Sequence, residues 1–130
     1  MSRPKCRVMC VDDHQDSAEM LRLLLSAEDY EVVVAATMDE ALDFAATEQF
    51  DLYVLDRRLP DGDGFELCSQ LTALTPDVPC IFYSGDAYAL HRNKAFEAGA
   101  SGYVAKPDIE ALIDAVHKIL SDRECATATS

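Results

Sequence analysis

Four short apolar runs in this chain each stop at a polar group able to do chemistry. Residues 8–11 stop at Asp12 and Asp13, residues 52–55 at Asp56, residues 80–83 at Ser84, and residues 103–105 at Lys106. Short, nearly continuous apolar runs read as strands covered on both faces. Beyond Asp56, Pro60, Gly62 and Gly64 turn the chain before the next apolar pattern begins. In a parallel sheet the carboxyl ends of the strands share one edge, and ligand chemistry gathers there. The pattern therefore predicts that three carboxylates, a hydroxyl and an amine meet in one hollow.

Between these runs the period changes to that of a helix. Ala18, Leu21, Leu24 and Leu25 recur at helical spacing, with Asp16 as the expected N-cap and Glu19 three residues on. Residues 31–36 are rich in β-branched side chains and read as a second strand. Thr37 and Glu40 make a capping box for a helix through Ala41, Leu42 and Ala45. Asp63 and Glu66 open another, with Phe65, Cys68, Leu71 and Leu74 as its apolar face and Pro76 and Pro79 past its end. A helix through Leu90, Lys94 and Ala98 closes at Gly99, a left-handed C-cap. Asp108 caps the last helix, whose stripe is Ile109, Leu112, Ile113, Val116, Ile119 and Leu120.

Five strands alternating with five helices predict an α/β fold, a doubly wound (βα)5 three-layer sandwich on a five-stranded parallel sheet. Right-handed crossovers and a crevice at the switch point select the strand order 2-1-3-4-5 of flavodoxin-like proteins. The chain of 130 residues fits one domain, expected over 1–122, with 123–130 as a loose tail.

The net charge of −13 excludes the basic footprint that a direct nucleic-acid or anionic-membrane surface requires, and favours a basic partner or a cation. No stretch has the length of a membrane span or the form of a signal sequence, so a cytoplasmic protein is expected. Five cysteines, Cys6, Cys10, Cys68, Cys80 and Cys125, make no C-x-x-C pair. Most lie in apolar runs and read as reduced, buried hydrophobes, with Cys125 the one expected to be exposed.

Two unit charges about 4 Å apart at an effective dielectric near 20 repel by roughly 4 kcal/mol, so Asp12, Asp13 and Asp56 cannot all ionise together unaided. A hard divalent ion is the economical aid, and oxygen donors favour Mg²⁺, with Mn²⁺ as the alternative. An ion that keeps waters can also take a phosphoryl oxygen. Lys106 and Ser84 then supply an ammonium and a hydroxyl for the other oxygens, and Asp56 serves as the nucleophile of a phosphoryl transfer.

With these residues in this order, the chain resembles the receiver domain of bacterial two-component response regulators, the family of the chemotaxis switch protein. The resemblance spans about residues 5 to 122. It is carried by Asp12 and Asp13, by Asp56 with Leu59, Pro60 and Gly64 behind it, by Ser84, and by Lys106 with Pro107. It implies a phosphoacceptor at Asp56 and a Mg²⁺ site made of Asp12, Asp13, Asp56 and the Arg58 backbone carbonyl. It further implies a phosphoryl group steadied by Ser84 and Lys106, a Ser84–Tyr103 switch pair, and a cis Lys106–Pro107 bond. The donor would be a sensor histidine kinase or a histidine phosphotransfer protein. The output partner would meet the face formed by the fourth helix, fifth strand and fifth helix, and a phosphorylation-dependent dimer is left open. Such a domain catalyses its own phosphorylation and slow dephosphorylation and turns over no small-molecule substrate.

Several positions depart from the family or from the simplest reading. Gly85 stands where the family usually has alanine, leaving room beside Tyr103. Arg58 and Asp86 are expected to pair across the mouth of the site and hinder the water that would hydrolyse an acyl phosphate. His14, His91 and His117 read as surface or helix-face histidines, with His14 near enough to the acidic pair to tune metal access. The pairs Glu28–Asp29, Asp39–Glu40 and Asp61–Asp63 read as solvated acid. A flavin-binding electron carrier would need a hydroxyl- and glycine-rich phosphate loop where Asp12 to Gln15 stand. A dehalogenase-type phosphatase would need an acid at Arg58. A phosphorylation-incompetent scaffold would not fill every chemical position.

Overall fold

The computed structural model describes residues 6–85 and 89–121. Asp86, Cys125 and the expected tail lie outside them. Five strands, β1 (Arg7–Val11), β2 (Glu31–Ala35), β3 (Leu52–Leu55), β4 (Cys80–Ser84) and β5 (Gly102–Ala105), form one parallel sheet in the order β2-β1-β3-β4-β5. The helices are α1 (Gln15–Ala27), α2 (Met38–Thr47), α3 (Gly64–Leu74), α4 (Ala89–Glu97) and α5 (Ile109–Ser121). A two-residue antiparallel ladder, Arg58–Leu59 against Gly62–Asp63, closes the loop after β3. Among the described residues no helix is long and apolar enough to cross a membrane.

Successive strand side chains point to opposite faces, and the sheet accordingly carries two cores. On one face Met9, Val11, Tyr53, Leu55 and Phe82 pack with Leu67, Cys68, Leu71 and Ala95 of α3 and α4 and with Ala41 and Ala45 of α2. On the other, Val8, Cys10, Leu52, Val54, Ile81 and Val104 meet Leu21 and Leu25 of α1 and Leu112, Val116 and Leu120 of α5. The α5 stripe lies where expected, with Leu112, Val116 and Leu120 buried and Ile109, Ile113 and Ile119 half-buried against them. In α3, Leu67 joins Cys68 and Leu71 in the core, whereas Leu74 is exposed because the helix ends there.

Helix ends correct some expectations and match others. His14, not Asp16, is the N-cap of α1, and Glu19 pairs with Arg22 rather than capping. Thr37 Oγ1 accepts from Glu40 N–H at 3.1 Å, but Glu40 Oε1 accepts from Ala36 N–H at 2.7 Å, one residue ahead of the usual box. Asp63 caps α3 through Phe65 N–H, and Asp108 caps α5 through Ala111 N–H. Gly99 follows α4 at φ +108°, the left-handed conformation expected there. Cys10, Cys68 and Cys80 are buried free thiols as read from their runs, whereas Cys6 is disulfide-bonded, against expectation.

Candidate functional site

The sheet register sets the site. Val11 pairs with both Ala35 and Leu55, and Ser84 with Ala105, so the strands end nearly level. The ladder then runs one step further: Asp12 N–H donates to Ala35 O at 3.0 Å, Asp56 N–H to Val11 O at 3.0 Å, and Lys106 N–H to Ser84 O at 2.8 Å. Asp12 continues the alternation of Val8 and Cys10, Asp56 that of Leu52 and Val54, and Lys106 that of Val104. Strand parity therefore sends all three toward the α1 and α5 side. Their backbones are fixed by the same bonds that hold the sheet together.

Asp12 and Asp56 are nearly buried, at 3% and 8% exposure, as is Ser84. Lys106 Nζ reaches Asp12 Oδ2 at 2.9 Å and Asp56 Oδ2 at 3.3 Å. Partial burial pulls the ammonium's pKa down, but the Asp12 hydrogen bond and the charges of Asp56 and Asp12 outweigh it and leave it above the usual lysine value. Asp56 Oδ1 accepts from Arg57 N–H at 2.7 Å. Gly64 N–H donates to Arg57 O at 2.6 Å, and a Cβ at Gly64 would stand 2.1 Å from Asp56 O. A side chain there would collide with backbone, so glycine is what lets the loop fold back under Asp56.

His14, Asp56, Arg58, Ser84, Gly85 and Lys106 line one hollow of about 370 Å³. Single ligand atoms of Asp12, Asp13, His14 and Asp56 lie within 4.8 Å of one another, a donor set that fits a divalent cation. Asp56, Ser84 and Lys106 thus share this hollow, while Asp12 and Asp13, which line a neighbouring cleft, join them through the Lys106 bond to Asp12 and the clustered carboxylate oxygens. Cys10, beside Asp12, is pushed up to about 12 by burial and by that carboxylate, which keeps it an inert thiol.

Tyr103 is 7% exposed, stacked on Phe82 with centroids 5.9 Å apart and the Arg92 guanidinium 5.9 Å from its ring. Among the described residues, nothing lies within 4 Å of where a Cβ on Gly85 would stand. The Lys106–Pro107 bond is cis. Arg58 is exposed on the wall of the hollow, and the expected Arg58–Asp86 pair falls outside the described residues.

Some of the acid is not merely solvated. Asp61 accepts from Met38 N–H at 2.9 Å and Asp39 N–H at 3.1 Å, tying the loop after Asp56 to the start of α2. Those backbone bonds lower the Asp61 pKa, the Met38 bond most. Glu28 bonds His117 Nε2 at 2.7 Å while Tyr30 Oη meets its Nδ1 at 2.8 Å, joining the end of α1 to α5.

Comparison with known proteins agrees with this geometry. The family model of the response regulator receiver domain matches residues 8–117. Transcriptional regulatory protein CreB of Escherichia coli (strain K12) is 40% identical over 100 residues, covering 77% of this chain and 44% of CreB. Response regulator ArlR of Staphylococcus epidermidis is 32% identical over 114 residues, 87% of this chain and 52% of ArlR. The chain thus spans about half the length of these curated relatives. Among solved structures, the non-phosphorylated HemR receiver domain of Leptospira biflexa superposes with a TM-score of 0.83 at 34% identity, covering 90% of this chain and 95% of that one.

Proposed function

Given that the chain belongs to the response regulator receiver family of two-component systems, we propose that Asp56 is its phosphoacceptor. The observation that carries this reading is the sharing of Lys106 between Asp12 and Asp56 in one buried cluster at the strand ends. Receiver domains are phosphorylated by histidine kinases, and a kinase or a histidine phosphotransfer protein is the donor proposed here. An Asp56 carboxylate oxygen attacks phosphorus, the P–N bond to the donor imidazole breaks, and the imidazole leaves with that electron pair. Asp56 needs no general base, because an ionised carboxylate has no proton to lose.

Asp12, Asp13, Asp56 and the Arg58 carbonyl are the proposed holders of Mg²⁺. The ion supplies positive charge to the phosphoryl oxygens during transfer. A solved relative, response regulator TrrA of Thermotoga maritima, was determined in complex with Mg²⁺-BeF; it is 29% identical with a TM-score of 0.80, covering 88% of this chain and 99% of that one. Lys106 gives its ammonium to another phosphoryl oxygen and Ser84 its hydroxyl to a third, with Tyr103 as Ser84's partner in the switch. Output is proposed through the face of α4, β5 and α5. The acidity of this chain disfavours its own direct contact with nucleic acid.

Intact mass measurement after incubation with acetyl phosphate and Mg²⁺ tests the reading. One added phosphoryl group on the parent, and none on Asp56→Asn or after chelation, is the expected result. A parent that stays unmodified under these conditions would refute it.

A further inference from the structure

Beside the three carboxylates stands a nitrogen that an all-oxygen site does not need. His14 holds the N-cap position of α1, yet its side chain makes no capping hydrogen bond. Its backbone N–H donates to Asp12 Oδ1 at 2.9 Å, and its ring Nδ1 lies 3.3 Å from Asp12 Oδ1 and 3.3 Å from Asp13 Oδ1. With metal–ligand bonds of about 2.1 Å, octahedral neighbours stand roughly 3 Å apart and opposite ligands roughly 4.2 Å apart. The donor atoms of Asp12, Asp13, His14 and Asp56, all within 4.8 Å of one another, need only small rotations to close on one ion. The His14 side chain is 72% exposed, so such a rotation breaks no packing.

We propose that His14 Nδ1 is a fourth side-chain donor, beside Asp12, Asp13, Asp56 and the Arg58 carbonyl, to the divalent ion, and that it biases the site toward first-row transition ions such as Co²⁺ and Zn²⁺ relative to Mg²⁺. The proposal rests on reading the hollow as a cation-assisted phosphoryl site. Mg²⁺ prefers oxygen and sheds water reluctantly, so an imidazole adds little to its binding. Borderline ions gain from nitrogen, and for them one more protein ligand in place of water tightens the complex. His14 thereby determines which ion the acidic pair holds.

The test is calorimetric titration of the metal-free chain with Mg²⁺ and, separately, Co²⁺ at one fixed neutral pH. The parent, His14→Gln and, as a control for histidines elsewhere, His117→Gln are compared. The Co²⁺-to-Mg²⁺ affinity ratio is expected to fall by about tenfold or more in His14→Gln and to keep the parent's value in His117→Gln. Independently, the ring ¹⁵N resonances of His14 in the parent should shift on titration with Zn²⁺. A ratio unchanged by His14→Gln, including the case where both affinities fall together, overturns the proposal. So do His14 ring nitrogens that stay still when Zn²⁺ binds. If the parent is phosphorylated with Mg²⁺ but the ratio does not move, only the role of His14 fails. A parent that takes no phosphoryl group removes the reading beneath it, and the proposal with it.

Discussion

Replacing Lys106 by methionine keeps the aliphatic stem and removes the charge that two nearly buried carboxylates share. At 2.9 and 3.3 Å the ammonium is in direct contact with both Asp12 and Asp56. Without it, two ionised carboxylates with oxygens within 4.8 Å of each other would repel by roughly 3–4 kcal/mol at a dielectric near 20. Breaking a fully buried ion pair costs about 3–5 kcal/mol. The Lys106 side chain is 20% exposed, so water recovers part of that cost. A loss of about 2–3 kcal/mol in chelator, roughly 10 °C in Tm, is expected.

The pH dependence has a definite sign. Burial lowers the Lys106 pKa, but Asp12 and Asp56 raise it past that and leave it above 10.5. A raised folded pKa contributes stability that is complete below the unfolded value and lost as pH rises through the folded one. The gap between parent and variant should therefore be flat from neutral pH to about 10 and close above that. Mg²⁺ at one fixed concentration should narrow the gap at neutral pH, because the ion supplies the charge the variant lacks, meets no competing ammonium there, and so binds and stabilises the folded variant more than the parent. Urea unfolding of both proteins, in chelator and in Mg²⁺, measures all of this. A variant within about 0.5 kcal/mol of the parent in chelator, the range of an ordinary surface change, would refute the charge argument.

The glycines after Asp56 separate backbone from side-chain crowding. Gly64→Ala would set its Cβ 2.1 Å from Asp56 O and 2.9 Å from Arg57 Cα, so a loss of about 1–3 kcal/mol or more and poorer phosphoryl uptake are expected. Gly62→Ala meets the Met38 thioether, whose flexible end can swing away, and should cost less in the same urea melts. Thr37→Ala removes the acceptor for Glu40 N–H and should cost about 1 kcal/mol by thermal unfolding while phosphoryl uptake stays at the parent's level.

What could be read from the chain alone was local. An apolar run that stops at a carboxylate, a hydroxyl or an amine marks a strand tip, which is why Asp12, Asp56, Ser84 and Lys106 are legible from residue order alone. Asp61 was not, because the amides it caps belong to Met38 and Asp39, more than twenty residues away, and nothing near it in sequence betrays them. The same holds for His117, whose partners Glu28 and Tyr30 come from the far end of the chain. At α1, Asp16 was the better cap by residue type. The bond from His14 N–H to Asp12 Oδ1 and the turn it imposes start the helix earlier. Leu74 fits the period of α3, but a period does not report where the helix stops.

The most direct measurement is to locate the phosphoryl group. Borohydride reduction of the acetyl phosphate-treated protein converts an acyl phosphate to an alcohol at the residue that carried it, and peptide sequencing by mass spectrometry reads the position. Homoserine at position 56 alone, absent when Mg²⁺ is chelated, is the predicted result. Reduction at Asp12 or Asp13 with Asp56 intact would contradict the assignment of the nucleophile and, with it, the division of labour among the three acids.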